Sequence, residues 1–219
     1  MCLSSVLNIL LLIMDLLTPA DLPPELQRCT QHRILTPGQI LVQQGEPAQY
    51  LFWVATGQLR LVGFVKQQMI TYYFVAAGDF FGESVLHFDT YGCTVIAEVP
   101  SEVIAIPKAE FALALRQSPN LSERYLASLT HRFHSVKILL ELRSINSARE
   151  RLLHYLMQRR SPGQTTVAVD KPLKVIASEL ALTPEALSRL LARLQADGII
   201  SRKKRSITFS QKGLEDIAK

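Results

Sequence analysis

The chain has 219 residues, 48% of them hydrophobic and 20% charged, which is enough apolar material for two modest cores and too much for a disordered chain. Its three cysteines, Cys2, Cys29 and Cys93, are odd in number and form no Cys-x-x-Cys pair, which argues against a disulfide framework or a cysteine zinc site and for a reducing cytoplasm. The net charge of +5 is unevenly placed: 10 Lys and Arg face 12 Asp and Glu up to Ile145, and 14 face 7 from Asn146 onward, so −2 gives way to +7. A basic C-terminal third suits a polyanion-binding module, because each neutralised phosphate releases condensed counterions.

The first predicted element is an apolar stretch from Leu3 to Leu17. No Lys or Arg precedes it, Asp15 interrupts it, and about 20 unbroken apolar residues are missing, so it reads as a short packed helix rather than a membrane span or signal. Translation starting at Met14 is the alternative. From His32 to Pro107, short apolar runs alternate with the turn residues Pro37-Gly38, Gly45-Glu46-Pro47, Thr56-Gly57 and Ala77-Gly78-Asp79. The runs Ile40–Val42, Tyr50–Val54, Gln58–Val65, Met69–Val75 and Val95–Ile106 are rich in β-branched and aromatic residues. Together they predict an antiparallel barrel or sandwich of about eight strands.

After Pro107 the period changes to that of helices. Leu126, Leu129, Phe133, Val136 and Leu140 are spaced 3, 4, 3, 4, an a/d repeat that presents one seam to a partner helix and implies a homodimer. The alternative is a helix packed on its own barrel. Ser144–Ser147 breaks this helix, with Ser147 placed to cap another from Ala148 to Arg160. A short strand, Thr166–Val169, precedes two helices, Leu173–Leu180 and one beginning at Pro184, with Thr183 as N-cap and Pro184 at the first helical position. Ile176, Ala177, Leu180, Leu182, Leu187, Leu190, Leu191 and Leu194 form their apolar face, and Ala177 and Ala181 are placed near the crossing. This is the pattern of a helix-turn-helix.

On the opposite face of the second helix stand Glu185, Ser188, Arg189, Ala192 and Arg193. Arg189 can grip guanine bidentately, Glu185 can accept from an exocyclic amine, and Ser188 can serve a base or a phosphate. Ile199–Ser201 and Ser206–Phe209 predict a hairpin whose tip, Arg202-Lys203-Lys204-Arg205, can contact phosphates together with Thr183 and Arg193.

The motifs Gln44-Gly45-Glu46, Gly57 before a strand, Gly78-Asp79-Phe80-Phe81-Gly82-Glu83 and Leu182-Thr183-Pro184-Glu185-Ala186-Leu187-Ser188-Arg189, taken in this order, resemble the cyclic-AMP receptor protein and FNR (Crp/Fnr) family of bacterial regulators from about Leu22 onward. The resemblance implies an α+β chain with three parts: an N-terminal double-stranded β-helix sensor barrel (1–118), a dimerisation helix (119–145) and a winged helix-turn-helix (146–219). It also implies RNA polymerase as a partner. Glu185, Ser188 and Arg189 match the FNR-like recognition helix and imply a palindrome of TTGAT-like half-sites.

The cyclic-AMP-binding members follow their Gly-Glu with an Arg-Ser pair that holds the cyclic phosphate. Here Tyr91 and Gly92 fall where that pair belongs. Tyr supplies no fixed positive charge, so cyclic AMP is not the expected effector of a pocket formed by Gly82, Glu83, Ser84, Tyr91, Cys93 and Thr94. Glu83 is open to two roles, binding a ribose hydroxyl or tying down its own loop. The iron–sulfur cysteine cluster of FNR is absent. Haem remains open through His32, His87 or Cys93, and so do a redox role for Cys93, another small-molecule effector and ligand-independent activity. His131 and His134 lie three apart on the long helix with no third metal ligand in view. No nucleophile elbow, phosphate-cradling glycine loop or acid/base pair marks an enzyme. The rival to a gene regulator is a sensing module that has lost DNA binding.

Overall fold

The computed structural model describes residues 17–66, 68–161, 163–169, 171–211 and 213–214. Cys2 and all but the last residue of the apolar stretch Leu3–Leu17 therefore lie outside the described residues. The chain falls into two compact units that divide between Thr130 and His131.

The first unit begins with a short helix, α1 (Pro24–Cys29), and then forms eight strands: β1 (Gln31–Leu35), β2 (Ile40–Val42), β3 (Tyr50–Thr56), β4 (Gln58–Val65), β5 (Gln68–Ala76), β6 (Phe80–Phe81), β7 (Thr94–Ala97) and β8 (Ser101–Pro107). They make two antiparallel sheets, ordered β1-β8-β3-β6 and β2-β7-β4-β5, which contribute to one core containing Leu51, Phe52, Val54, Leu59, Leu61, Phe81, Val95, Val103 and Ile106. The run Val95–Ile106 is thus two strands rather than one. Glu98–Pro100 turns the chain over, and the Ser101 hydroxyl accepts from Gln58 N–H at 3.1 Å while donating to Val99 C=O at 2.8 Å. Gly57, between β3 and β4, has φ 88°. A Cβ there would lie 2.2 Å from Ser101 Oγ and 2.6 Å from Pro100 O, so only glycine fits this turn.

Two helices follow, α2 (Lys108–Gln117) and the long α3 (Pro119–Ser144). Within the first unit the start of α3 is fixed by aromatic packing. Phe80, Phe111 of α2 and Tyr125 of α3 bring their ring centroids within 5.2–6.2 Å of one another. Arg124 pairs with Asp21, which also accepts from the hydroxyl and N–H of Thr18. Burial would raise the Asp21 carboxyl, but these donors outweigh it and hold the group below the ordinary aspartate range.

The second unit contains the rest of α3, then α4 (Ala148–Gln158), β9 (Thr166–Ala168), α5 (Leu173–Glu179), α6 (Pro184–Ala196), β10 (Ile200–Lys203) and β11 (Ser206–Phe209). Ser147 caps α4 by accepting from Glu150 N–H at 3.3 Å. The three strands form a sheet of order β10-β11-β9. The core gathers Leu142, Leu152, Tyr155, Leu156, Ile176, Leu180, Leu187, Leu191, Leu194 and Phe209.

Both helices of the helix-turn-helix end in the same hydrogen-bonded device, in which a left-handed residue sits between a six-residue and a four-residue closure. At the end of α6, Ile199 N–H donates to Leu194 C=O at 3.0 Å and Gly198 N–H to Gln195 C=O at 3.1 Å, with Gly198 at φ 70°. At the end of α5 the bonds are Leu182 N–H to Ala177 C=O (2.8 Å) and Ala181 N–H to Ser178 C=O (3.1 Å), and the left-handed residue is Ala181 at φ 51°. The sequence places Ala181 at the helix crossing, but it is exposed, whereas Ala177 is fully buried there. A left-handed L-residue costs about 1–2 kcal/mol, part of which glycine returns as extra entropy of the unfolded chain. Ala181→Gly is therefore expected to stabilise the second unit by about 0.5–1 kcal/mol, read as a later urea midpoint at unchanged slope. An earlier midpoint would contradict the assignment of strain.

Candidate nucleic-acid interface and effector cavity

The recognition surface is built at the N-terminus of α6. Thr183 caps the helix by accepting from Ala186 N–H at 3.1 Å, and Leu187, Leu191 and Leu194 are buried against the core. A 3.6-residue period then places Glu185, Ser188, Arg189, Ala192 and Arg193 outward, and all five are exposed. The Glu185 carboxyl is held below its ordinary range by its own backbone N–H first, then by the Thr183 hydroxyl and by Arg189. It stays ionised at neutral pH and can act as a hydrogen-bond acceptor.

The wing is tighter than the sequence suggests. Arg202 and Lys203 belong to β10, Lys203 pairs with Ser206, and the turn is only Lys204-Arg205. All four basic residues are exposed. Sequence periodicity does not find Lys171. The fold brings it to a groove of ≈ 320 Å³ that it lines with Leu173, Arg202, Lys204, Arg205 and Ser206, and the only signal in the sequence is its place just before Pro172 at the start of α5.

Along α3, the five seam residues divide. Leu129 packs on the barrel core, which is the alternative reading realised for one residue, whereas Leu126, Phe133, Val136 and Leu140 are 63%, 74%, 47% and 70% exposed. His131 is half-buried and His134 exposed. No three His, Cys, Asp or Glu side chains among the described residues form a group that could hold a metal ion.

In the barrel, Gly82, Glu83, Ser84, Tyr91 and Cys93 line one cavity of ≈ 170 Å³, together with Val42, Phe52, Leu61, Tyr73, Phe81, Val85, Gly92 and Val95. Thr94 is not among the lining residues: it is buried, and its hydroxyl accepts from Gln44 N–H at 3.0 Å. The Tyr91 hydroxyl accepts from Tyr50 N–H and donates to Tyr50 C=O, each at 3.2 Å, and burial pushes its phenol above the ordinary range. Its backbone is fastened as well, through Gly45 N–H to Tyr91 C=O at 2.9 Å and Tyr91 N–H to Glu46 C=O at 3.0 Å. Burial also raises the Cys93 thiol, which disfavours the reactive thiolate.

Among the described residues, no basic side chain lines the cavity. The guanidinium of Arg33 stacks on the Tyr50 ring at 4.7 Å, and Arg60 pairs with Glu98 at 2.6 Å. A buried cyclic phosphate therefore finds no cation, and the space falls below the roughly 300–1,000 Å³ of usual small-molecule sites. Of the three candidate haem ligands, His32 and His87 are exposed and do not line the cavity, whereas Cys93 does.

Comparison with known proteins gives two consecutive matches. The sequence-family model "Cyclic nucleotide-binding domain" matches residues 32–118, and "Crp-like helix-turn-helix domain" matches residues 150–217. The chain belongs to the Crp/Fnr family of transcriptional regulators. Among relatives of this Crp/Fnr chain, the probable transcriptional regulator flp of Lacticaseibacillus casei is 27% identical over 198 residues, covering 86% of this chain and 88% of its own. The cyclic AMP receptor protein of Thermus thermophilus is 26% identical over 174 residues, covering 78% and 79%. The Crp/Fnr fold is also seen in FixK2 from Bradyrhizobium japonicum, with a TM-score of 0.65 at 20% identity over 86% of this chain and 96% of that one. The exposed face of α6 and the basic wing thus belong to a DNA-binding helix-turn-helix. Among the described residues no helix is long and apolar enough to cross a membrane.

Proposed function

We propose that this regulator works as a homodimer that reads a palindromic duplex, with Glu185, Ser188 and Arg189 of each protomer on base edges. Thr183, Arg193, Arg202, Lys203, Lys204 and Arg205 lie along phosphates. The observation that carries this reading is the joint exposure of Glu185, Ser188 and Arg189 at the capped, solvent-facing N-terminus of α6, the end of a recognition helix that meets the major groove. The resemblance of these three residues to the FNR-like pattern favours TTGAT-like half-sites, and the family's usual output is recruitment of RNA polymerase.

The barrel would bias how the α3 helices pair and so set the two recognition helices about one DNA turn, roughly 34 Å, apart or out of register. Cyclic AMP, named in the T. thermophilus relative, is not carried over to this chain, because the cavity has no cation for its phosphate and Tyr91 is committed to Tyr50. The effector is instead a small molecule without a phosphate, or none.

The test is an unbiased selection of duplexes by the purified full-length protein, with and without cyclic AMP. A two-fold palindrome with half-sites one turn apart is the expected product, and cyclic AMP leaves its titration unchanged. Failure to enrich any sequence, even with cell extract supplied as a source of ligand, overturns the reading. Tight, affinity-raising binding of cyclic AMP overturns the part that concerns the effector.

A further inference from the structure

Glu179 is the last residue of α5, and three segments meet at its carboxylate. Oε2 accepts from the Tyr155 hydroxyl at 2.8 Å and from Arg159 Nη2 at 3.4 Å, both at the end of α4, while Oε1 lies 2.7 Å from Lys171 Nζ. The Glu179 side chain is 14% exposed and that of Lys171 42%. Tyr155 is buried in the core, and the Arg159 guanidinium sits 3.6 Å above its ring. The carboxylate is therefore anchored on its inner side by packed groups.

Lys171 also lines the groove that Arg202, Lys204 and Arg205 form beside the wing. Its ammonium stands between a fixed carboxylate and a surface suited to phosphates. Affinity for duplex of any sequence scales steeply with the number of phosphates neutralised, and an ammonium already paired at 2.7 Å adds little to that number. No periodic signal in the sequence links Lys171 to Glu179.

We infer that Glu179 is a positioning residue that limits sequence-independent DNA binding by holding Lys171 out of the phosphate-facing set. This rests on the reading of the second unit as a DNA-binding module. Pairing lowers the phosphate-borne affinity for duplex of any sequence while leaving Glu185 and Arg189 untouched.

The experiment uses the full-length protein with two labelled duplexes, a selected palindrome and a random sequence, titrated at several salt concentrations. Glu179→Gln keeps an acceptor for Tyr155 and Arg159 but removes the charge that holds Lys171. It is expected to steepen the salt slope on both duplexes by about 0.9 per released ammonium. Lys171→Ala alone leaves the slope unchanged, and adding it to Glu179→Gln returns the slope to that of the parent protein, a reversal that loss of packing alone would not give. An unchanged slope in Glu179→Gln, with the parent binding in a salt-dependent way, overturns the inference. So does a flattened slope in Lys171→Ala alone, because Lys171 would then already touch phosphate. A parent protein with no salt-dependent binding to either duplex removes the DNA reading itself, and this inference with it.

Discussion

Phe133→Glu combined with Leu140→Glu is expected to leave the protein monomeric and to lower its affinity for a selected palindrome at least 100-fold. Both side chains lie on α3 with 74% and 70% of their surface exposed, on the face opposite Ile138 and Leu142, which pack into the core of the second unit. Burying such side chains against a partner contributes about 2 kcal/mol each. Four of them, two from each protomer, supply about 8 kcal/mol, the scale of a micromolar association. Glutamate removes that contribution and sets like charges opposite one another across a two-fold seam. Without the dimer the second half-site is no longer bound intramolecularly, and an advantage of roughly 10²–10⁴ is lost. Because both positions face solvent in the single chain, the thermal midpoint should hardly move. Sedimentation equilibrium and fluorescence anisotropy provide the readouts. A double variant that remains dimeric and binds the palindrome as the parent does would remove α3 from the interface.

The features that sequence disclosed are those in which one local rule acts alone. Thr183 and Ser147 were readable as caps because each pairs a side-chain acceptor with a helix N-terminus three residues on. Gly57 was readable as a turn residue, and the a/d spacing picked out Leu126, Phe133, Val136 and Leu140, which α3 leaves exposed. What escaped depends on contacts distant in sequence or on register. Val95–Ile106 looked continuous because the turn at Glu98–Pro100 is stabilised from Gln58, 43 positions from Ser101.

Which way Tyr91 and Thr94 point followed from no periodicity. The β4 register shifts at Leu61/Val62 and that of β2 between Ile40 and Val42, and the two hydroxyls are claimed by Tyr50 and Gln44. Ala181 showed small size, which suits a helix crossing, while its backbone conformation was invisible. Lys171 and Glu179 meet only because Pro172 turns the chain into α5.

Arg189→Ala is expected to weaken binding to the selected palindrome by roughly 30-fold to 10⁴-fold and to relax the base preference at one position of each half-site, with little loss on random duplex. A bidentate Arg–guanine pair is worth about 1–3 kcal/mol of discrimination, and the dimer would use two. The substitution also leaves Glu185, still ionised through its own N–H and Thr183, facing the groove without a neighbouring cation. Leu187 and Leu191, which hold the helix to the core, are not touched, so the fold should persist. Lys203→Ala serves as the contrast: it lies on β10 at the wing and should weaken all duplexes alike and flatten the salt slope by about 0.9 for each phosphate left without its cation. The two variants separate reading from holding in a gel-shift titration at two salt concentrations. Equal losses on palindrome and random DNA for Arg189→Ala would mean that α6 does not present this residue to a base.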